Sequence, residues 1–282
     1  MTCYMFPGQG SQKIGMGEDL FDKFSKYTKV ASDILGYDIK KLCLEDPQEQ
    51  LNLTQFTQPA LYTVNVLSYL NLESPTPTAL LGHSLGEYSA LCIADVFDFE
   101  TGLKLVQKRG ALMSQERGGA MAAIVGISIN KIKEILQENN LEDIDIANLN
   151  EPLQTVISGP EDSIDKAKPL FENANVRLYL RLAVSGAFHS RYMKEAQNQF
   201  NDFLNTFSFS EPKIDVIANV TAKKYTKETA KELLSQQITN SVKWVESINY
   251  ILTNYKEETQ EIGPGKVLTG LVRKIKKAAI IS

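Results

Sequence analysis

Hydrophobic residues recur along the first third of the chain with spacings that alternate between strand-like and helical. The apolar run Tyr4–Phe6 ends at Pro7–Gly8, which predicts an N-terminal strand that enters a turn. From Glu18 to Leu35 apolar residues return every three or four positions, and Gly36 follows as a stop signal, so this segment predicts a helix. A second helical pattern covers Ala60–Leu70, with a proline close to its first turn.

The alternation continues to about residue 117. Ala79–Gly82 predicts a buried strand, Leu85–Ala94 a helix, and Phe99–Met113 a longer amphipathic helix. Strands that alternate with helices are typical of an α/β protein with a parallel sheet.

Residues 118–186 have a different pattern, in which two strands follow each other between two helices. The predicted strands lie at about 121–126, 144–147, 155–159 and 176–182, and the helices at about 132–138 and 163–173. This β-α-β-β-α-β order is that of a ferredoxin-like unit. We therefore predict a large α/β domain formed by residues 1–117 and 187–282, interrupted by a small ferredoxin-like α+β domain at 118–186.

The C-terminal part returns to alternating elements. The pattern predicts a helix at Ser190–Phe207, a strand at Asp215–Val220, helices at Lys227–Ile238 and Trp244–Leu252, a strand at Thr259–Ile262, and a last helix after Gly265.

Composition excludes several classes of protein. The chain has 282 residues, of which 43% are hydrophobic and 23% charged, and its net charge is -4, so we expect a globular protein that does not bind nucleic acid. No apolar stretch approaches the roughly 18 residues of a membrane span, and the first ten residues lack the basic n-region and apolar h-region that a signal peptide has, so we expect neither. Cys3, Cys43 and Cys92 are too scattered for disulfides or a metal site, so we expect reduced thiols in the cytoplasm and no bound metal.

One motif indicates nucleophilic chemistry. Gly82-His83-Ser84-Leu85-Gly86 matches G-x-S-x-G and lies between a predicted strand and a predicted helix. In that context the glycines permit a tight turn that holds the hydroxyl of Ser84 beside the positive end of a helix. We therefore expect the large domain to be hydrolase-like. A chance match in an ordinary turn is the alternative.

An activated serine needs a base within hydrogen-bonding distance, and the chain contains only two histidines. His83 is adjacent to Ser84 along the chain, so its side chain points in another direction. His189, in Gly186-Ala187-Phe188-His189-Ser190 at the predicted domain junction, is the better candidate, although a helix-capping histidine would look the same. No acid follows the order of an α/β-hydrolase triad, so a backbone carbonyl is an alternative partner for the base.

Two further residues have chemistry suited to such a site. In Gly8-Gln9-Gly10 the flanking glycines would let the Gln9 amide approach a ligand and stabilise an oxyanion, or they form a flexible turn. Arg109 lies about 70° from the centre of the apolar face of its predicted helix. A guanidinium at that edge needs a carboxylate, which either belongs to this chain or to a substrate.

Taken together these segments resemble the malonyl-CoA:acyl-carrier-protein transacylases, the acyltransferases of fatty acid and polyketide synthesis. The resemblance covers nearly the whole chain and is carried by seven ordered segments: Phe6–Gln12, Thr57–Ala60, Gly82–Glu87, Gln107–Gly110, Gly119–Ala123, Gly186–Ser190 and Glu261–Gly265. One departure is Ser241, where the family usually has proline. Residues 55–62 look closer to the free-standing enzymes that serve polyketide synthases.

The resemblance implies a role for each matching residue. Ser84 would be the nucleophile and His189 the base, with the main-chain carbonyl of Gln237 as its orienting group. The backbone amides of Gln9 and Leu85 would form the oxyanion hole. Arg109 would hold the free carboxylate of malonate, and the remaining substrate-binding residues would be Met113, Met121, Phe188, Asn148 and Asn219.

The resemblance also implies the partners. Malonyl-CoA would be a substrate, no cofactor would be bound, and the acceptor would be the phosphopantetheine thiol of an acyl carrier protein, such as a carrier domain of a polyketide synthase. We expect a monomer without membrane contact. Carrier proteins of this class are acidic, so Lys223-Lys224 and Arg273–Lys277 are candidate docking residues, or ordinary solvated charges.

Three competing functions remain at this stage. An acyl hydrolase on the same scaffold would not need the carboxylate clamp of Arg109. A lipase or esterase would need the absent triad acid, and a non-catalytic carrier-binding module would not need Ser84, His189, Gln9 and Arg109 together.

Overall fold

The computed structural model describes residues 1–281, with side chains to residue 280. In this part of the chain the strands are β1 Thr2–Phe6, β2 Pro77–Gly82, β3 Gly119–Val125, β4 Asp145–Glu151, β5 Gln154–Pro160, β6 Leu178–Arg181, β7 Asp215–Ile217 and β8 Glu258–Glu261. The helices are α1 Glu18–Phe21, α2 Ser25–Leu35, α3 Ile39–Leu44, α4 Thr54–Leu70, α5 Gly86–Ile93, α6 Phe99–Gln115, α7 Ile129–Glu138, α8 Glu161–Asn173, α9 Lys194–Leu204, α10 Lys227–Gln236, α11 Trp244–Asn254 and α12 Val267–Ile281.

The strands form two separate sheets. The first has the order β7-β2-β1-β8, and all its pairs are parallel. The second has the order β4-β5-β3-β6 with antiparallel pairs, which together with the helices α7 and α8 is the ferredoxin-like arrangement. The predicted fold class, an α/β domain with a parallel sheet and an inserted α+β unit, is confirmed. The boundaries of the small domain at residues 118 and 186 remain our proposal.

Helices cover both faces of the parallel sheet, because the side chains of its strands are apolar on both faces. Cys3 and Met5 of β1 face a cluster with Trp244 of α11 and Leu268 of α12. The opposite face belongs to the main core, which includes residues of α2 to α6, α9 and α10. Because both faces of the parallel sheet are buried, functional side chains are expected in the loops at the ends of its strands.

The small sheet is also two-sided. Ala122 and Ile124 of β3 face the helices α7 and α8, whereas Met121 and Ala123 face the main core. The alternation within one strand therefore brings the small unit against the large one.

A short backbone pairing joins the two units beside the loop that follows α10. Val242 pairs in parallel with Asn148 of β4, donating its amide hydrogen to Ala147 and accepting one from Leu149. Ser241, the departure from the family pattern, donates its hydroxyl hydrogen to the carbonyl of Ile146. The residue that replaces proline thus adds a hydrogen bond across the junction.

Several element boundaries differ from the sequence prediction. The helix expected over residues 18–35 is divided into α1 and α2, and the hydroxyl of Thr28 donates to the carbonyls of Phe21 and Phe24 at the break. The sequence pattern missed α3, which is only six residues long and is capped by Asp38. Residues 191–193 form a 3₁₀ turn before α9, which ends at Leu204 instead of residue 207.

The start of α4 also differs from the sequence prediction, and the reason is functional. The helix begins at Thr54, six residues before the predicted start, and Pro59 lies inside it. Thr54 and Gln58 are polar, so they break the apolar pattern, yet both are buried. They are buried because this end of the helix faces the site described next.

Candidate active site

Three loops meet at one edge of the parallel sheet. The loop after β1 carries Gln9, the turn after β2 carries Ser84, and the segment after β7 carries Asn219. Because β1 and β7 are the two neighbours of β2 and all three are parallel, their carboxyl ends lie side by side. The sheet topology therefore brings together residues that are up to 210 positions apart in the chain.

Ser84 occupies a tight strand-to-helix turn. Its φ is +50°, in the left-handed region, which costs a residue with a side chain about 1–3 kcal/mol. The flanking glycines are sterically required, since a Cβ on Gly82 would collide with the backbone of Gly86, and one on Gly86 with the carbonyl of Phe6. The turn matches the geometry expected of a G-x-S-x-G nucleophile.

Ser84 and His189 are in direct contact. The hydroxyl of Ser84 lies 2.8 Å from Nε2 of His189, whose Nδ1 lies 2.8 Å from the main-chain oxygen of Gln237. Burial, and secondarily the positive charge of Arg109, lowers the pKa of His189 to about 3. The imidazole is therefore neutral at pH 7, with Nδ1–H donating to Gln237 and Nε2 free to accept from Ser84.

Arg109 projects from α6 into the same site and is 1% exposed. Its guanidinium donates to Oε1 of Gln58 at 2.8 Å, to Oε1 of Gln237 at 2.9 Å and to Oγ of Ser84 at 3.1 Å. No carboxylate oxygen of the described residues lies within 4 Å, and Nε has no partner among them. Of the two possibilities left by the sequence, an internal ion pair is thus not found in the described chain.

A cavity of about 90 Å³ connects these groups. Its walls include nine of the eleven residues that the sequence singled out, namely Gln9, Ser84, Leu85, Arg109, Met113, Met121, Asn148, Phe188 and His189. Leu182 and Val184, which the sequence reading did not identify, complete the apolar wall. The cavity is small, mostly apolar, and carries a buried cation at one side.

The other two residues lie behind the cavity wall. Asn219 was expected to line the pocket, but it is 1% exposed and accepts a hydrogen bond from the amide of Ser84 at 2.7 Å. Its side-chain amide donates to the carbonyl of Gly82 at 2.7 Å, so it braces both ends of the turn. The side chain of Gln237 donates to the carbonyl of Ser84 at 3.0 Å.

Gln9 and Leu85 border the cavity, and their backbone amides donate no hydrogen bond within residues 1–281. The side chain of Gln9 donates to Thr54 of α4 at 3.2 Å, which holds the loop against that helix. Two free N–H groups beside the nucleophile are suited to bind an oxygen that gains negative charge.

The second histidine also borders the cavity, but its hydrogen-bond partner is Asn150 and not the nucleophile. Nε2 of His83 lies 2.9 Å from Oδ1 of Asn150, and its ring packs 5.5 Å from that of Trp244. Its side chain therefore supports the turn and the wall of the cavity.

Sequence reasoning overlooked two other buried polar residues of this region. Gln58, 1% exposed, holds Arg109, and Glu87, 0% exposed, accepts a hydrogen bond from the amide of Asn219 at 2.8 Å. Both lie inside segments that carry the family resemblance, and a polar residue in a buried helical stretch was the available signal.

A groove of about 480 Å³ adjoins His189 on the outside. Its walls are polar and include Lys194, Gln197, Thr239 and Asn240. Arg191 also borders it but is engaged by the carboxylate of Asp145. Lys223 and Lys224 lie elsewhere, in the loop after β7, where Lys224 pairs with Asp215 at 2.8 Å.

Neither a metal-binding cluster nor a membrane-spanning helix is found in the described chain. Residues 1–281 contain no group of three or more His, Cys, Asp or Glu arranged to hold a metal ion. Every helix in that range is too short or too polar to cross a membrane.

Comparison with known proteins gives consistent matches over the whole chain. Residues 3–279 match the model of the acyl transferase domain. The chain is 56% identical to the polyketide biosynthesis malonyl CoA-acyl carrier protein transacylase PksC of Bacillus subtilis, over 99% of this chain and 98% of that protein.

Solved structures agree with this match. A crystal structure of malonyl CoA-acyl carrier protein transacylase from Burkholderia pseudomallei superimposes with a TM-score of 0.95 at 50% identity, covering 98% of both chains. A malonyl-transacylase in complex with its type II polyketide-synthase acyl-carrier protein superimposes with a TM-score of 0.92 at 36% identity, covering 98% of this chain and 93% of that chain.

Proposed function

Because the chain belongs to the acyl transferase domain family, we propose that it transfers the malonyl group of malonyl-CoA to the phosphopantetheine thiol of an acyl carrier protein. The observation that supports this most strongly is the position of Arg109. A buried guanidinium that forms no ion pair with residues 1–281 lies 3.1 Å from the hydroxyl of a serine that also contacts a neutral histidine. This arrangement suits an acyl group that carries its own carboxylate.

The first half-reaction would acylate Ser84. Its Oγ attacks the thioester carbonyl while Nε2 of His189 accepts the hydroxyl proton. The amides of Gln9 and Leu85 stabilise the tetrahedral oxyanion, each by about 3 to 4 kcal/mol. The C–S bond then breaks, and His189 returns the proton to the sulfur of CoA.

Arg109 would select the acyl group. The carboxylate of malonate would pair with the guanidinium, whereas an acetyl group would leave it buried without a carboxylate in direct contact, at a cost of several kcal/mol. We also infer a second effect on the base. The positive charge of Arg109 contributes to the low pKa of His189, so a carboxylate bound to Arg109 would offset that charge and raise the pKa. A carboxylated substrate thus makes the base stronger as it binds.

The second half-reaction would discharge the malonyl group onto the carrier. The carrier thiol must approach within reach of His189, which now removes its proton. We propose that the groove beside His189 receives the phosphopantetheine arm, because it is the polar opening that the base itself borders. Lys194 would then meet negative charge of the arm or of the acidic carrier near the groove entrance.

The remaining features fit a biosynthetic acyltransferase. The similarity to PksC favours polyketide over fatty acid synthesis, and we propose a polyketide-synthase carrier as the acceptor. The chemistry uses only side chains and backbone amides of this chain, so we propose that the enzyme binds no cofactor. The three free cysteines are consistent with the cytoplasm, which we propose as its location.

Intact-mass spectrometry tests this proposal. The protein is mixed with malonyl-CoA, the adduct is located by peptide mapping, and a panel of holo carrier proteins is then added. We expect a malonyl adduct on Ser84 that is lost to carriers of one class, and no adduct on Ser84→Ala.

The same experiment separates the alternatives. Steady release of free malonate without transfer to any carrier would favour the acyl hydrolase. Absence of any adduct on a folded protein that binds carriers would favour a non-catalytic binding module.

A further inference from the structure

Glu87 is a buried acid that the proposed reaction does not use. It follows the nucleophile turn in the first residues of α5 and is 0% exposed. Its two carboxylate oxygens are both engaged, one by the backbone amide of Asn219 at 2.8 Å and the other by the hydroxyl of Tyr225. Burial of a carboxyl group is unfavourable unless hydrogen bonds compensate for the lost water, so the presence of an acid here needs an explanation.

Asn219 connects this acid to the nucleophile. Its side-chain oxygen accepts from the amide of Ser84, and its side-chain nitrogen donates to the carbonyl of Gly82, both at 2.7 Å. One side chain therefore bridges the turn on either side of His83. The φ of +50° at Ser84 is retained only if the surroundings impose it.

The backbone of Asn219 is in turn held in place. Glu87 accepts its amide hydrogen, and its carbonyl accepts from the amide of Lys243 at 2.9 Å. Glu87 lies three residues after Ser84 and contacts a segment about 130 positions further along the chain, so it joins the nucleophile helix to the bracing segment.

We propose that Glu87 is a positioning residue, which holds Asn219 and through it keeps the hydroxyl of Ser84 in line with His189. The inference rests on the proposed function, since it assigns the residue to the reactivity of the same serine. Glu87 touches neither substrate nor reacting atoms.

This role makes the nucleophile sensitive to pH near neutrality. Burial raises the pKa of Glu87 to about 7, and the titratable or charged groups that face it are Tyr225, Tyr88 and Arg109. Below that pH the carboxyl group is protonated, and its hydrogen bond with the amide of Asn219 loses the strength that a charge adds. His189 cannot cause an acid limb there, because its pKa of about 3 keeps it neutral throughout.

The test measures the reactivity of Ser84 without malonyl chemistry. A small neutral organophosphorus fluoride phosphonylates an activated serine: the Oγ–P bond forms, the P–F bond breaks, fluoride leaves, and the serine proton passes to the base. Its rate constant is recorded from pH 5.5 to 8.5 for the wild-type protein. We expect the rate to rise about threefold to tenfold through pH 7.

Glu87→Gln is the decisive variant. The glutamine can still accept from Asn219 and donate to Tyr225, so it mimics the protonated acid. We expect a flat profile whose rate at pH 8 equals that of the wild type at pH 6, with the KM for malonyl-CoA within about twofold because Arg109 is unchanged. The matched control Glu100→Gln, an exposed acid on α6, should retain the wild-type profile.

Tyr225→Phe supplies an independent readout if Glu87→Gln folds poorly. The tyrosine hydrogen bond lowers the pKa of Glu87, so its loss should move the acid limb to higher pH while the alkaline plateau is kept. A wild-type profile in both variants would overturn the inference. Wild-type Ser84 that reacts with the fluoride but forms no malonyl adduct would instead refute the proposed function alone.

Discussion

The two sheets contribute to the site in different ways. In the parallel sheet the carboxyl ends of β1, β2 and β7 lie at one edge, so the loops that follow them bring the proposed oxyanion donor, the nucleophile and its brace together. In the antiparallel sheet successive strand ends point in opposite directions, and no edge collects three loops in this way. It contributes face residues instead, Met121 and Asn148, to the wall of the cavity.

This difference suggests a division of labour. The edge of the large sheet, with the segment that carries His189, would determine how fast the acyl group reacts. The face of the small sheet, together with Arg109 of α6, would determine which acyl groups bind. Substitutions in the two regions should therefore change different kinetic constants.

The largest effect is expected for His189→Ala. Loss of the base should lower the rate constant for acylation of Ser84 by about 10²- to 10⁴-fold. Binding of malonyl-CoA should change little, because Arg109 and the small-sheet wall remain. A time course of acylation, quenched at intervals and analysed by mass spectrometry, measures the rate, and calorimetry measures binding. An equal loss of rate and binding would contradict the proposed division of labour.

Arg109→Ala should have the next largest effect. Truncation of one partner of a buried charge pair costs about 2–5 kcal/mol, so kcat/KM for malonyl-CoA should fall at least about thirtyfold. In competition assays the preference should shift toward acetyl-CoA. The exposed Lys104→Ala on the same helix is the control. An unchanged malonyl preference would show that the selecting group lies elsewhere.

Met121→Ala tests the small sheet. Removal of this side chain should widen the cavity and improve the kcat/KM ratio of methylmalonyl-CoA to malonyl-CoA by about tenfold, the lower end of what one methyl group contributes in an apolar pocket. The rate with malonyl-CoA should fall only a few-fold. Leu180→Ala, exposed on β6, controls for loss of an apolar side chain in the same sheet. A loss of rate without a change in selectivity would contradict the proposed division of labour between the two sheets.

The smallest effect is expected outside the cavity. Lys194→Glu, at the groove beside His189, should raise the KM for the carrier several-fold by repelling its acidic surface, and more strongly at low salt. The joint reversal Lys223→Glu and Lys224→Glu tests one of the two docking segments expected from the sequence, the one in the loop after β7. If only that double variant raises the carrier KM, the groove is not the docking side.

Much of the fold could be predicted because local patterns are strong in it. The order β-α-β-β-α-β over residues 118–186 and the glycine at the end of α2 were readable from spacing alone. The pattern failed where function or length overrides periodicity. The first turns of α4 are polar because Thr54 and Gln58 serve the site, and α3 is too short to show a period.

The candidate site was predicted to a similar degree. The scarcity of histidine and the G-x-S-x-G motif indicated Ser84 and His189, which the structure brings within 2.8 Å. Asn219 was expected in the pocket because its motif matched, but a motif does not specify on which side of a loop a side chain lies. Glu87 belongs to the motif Gly82–Glu87, but the sequence indicated no role for it, because its partners come from distant segments.

The sequence by itself determined the residue types that this chemistry needs and the local turns that carry them. Glycines around Ser84 and a single suitable histidine depend on neighbouring positions and on composition, which one chain already reveals. The tertiary structure alone decided that Arg109 forms no ion pair within residues 1–281, that Asn219 braces the turn, and that Glu87 holds Asn219. These properties depend on desolvation and on contacts between segments more than a hundred residues apart, and neither is encoded in any local pattern.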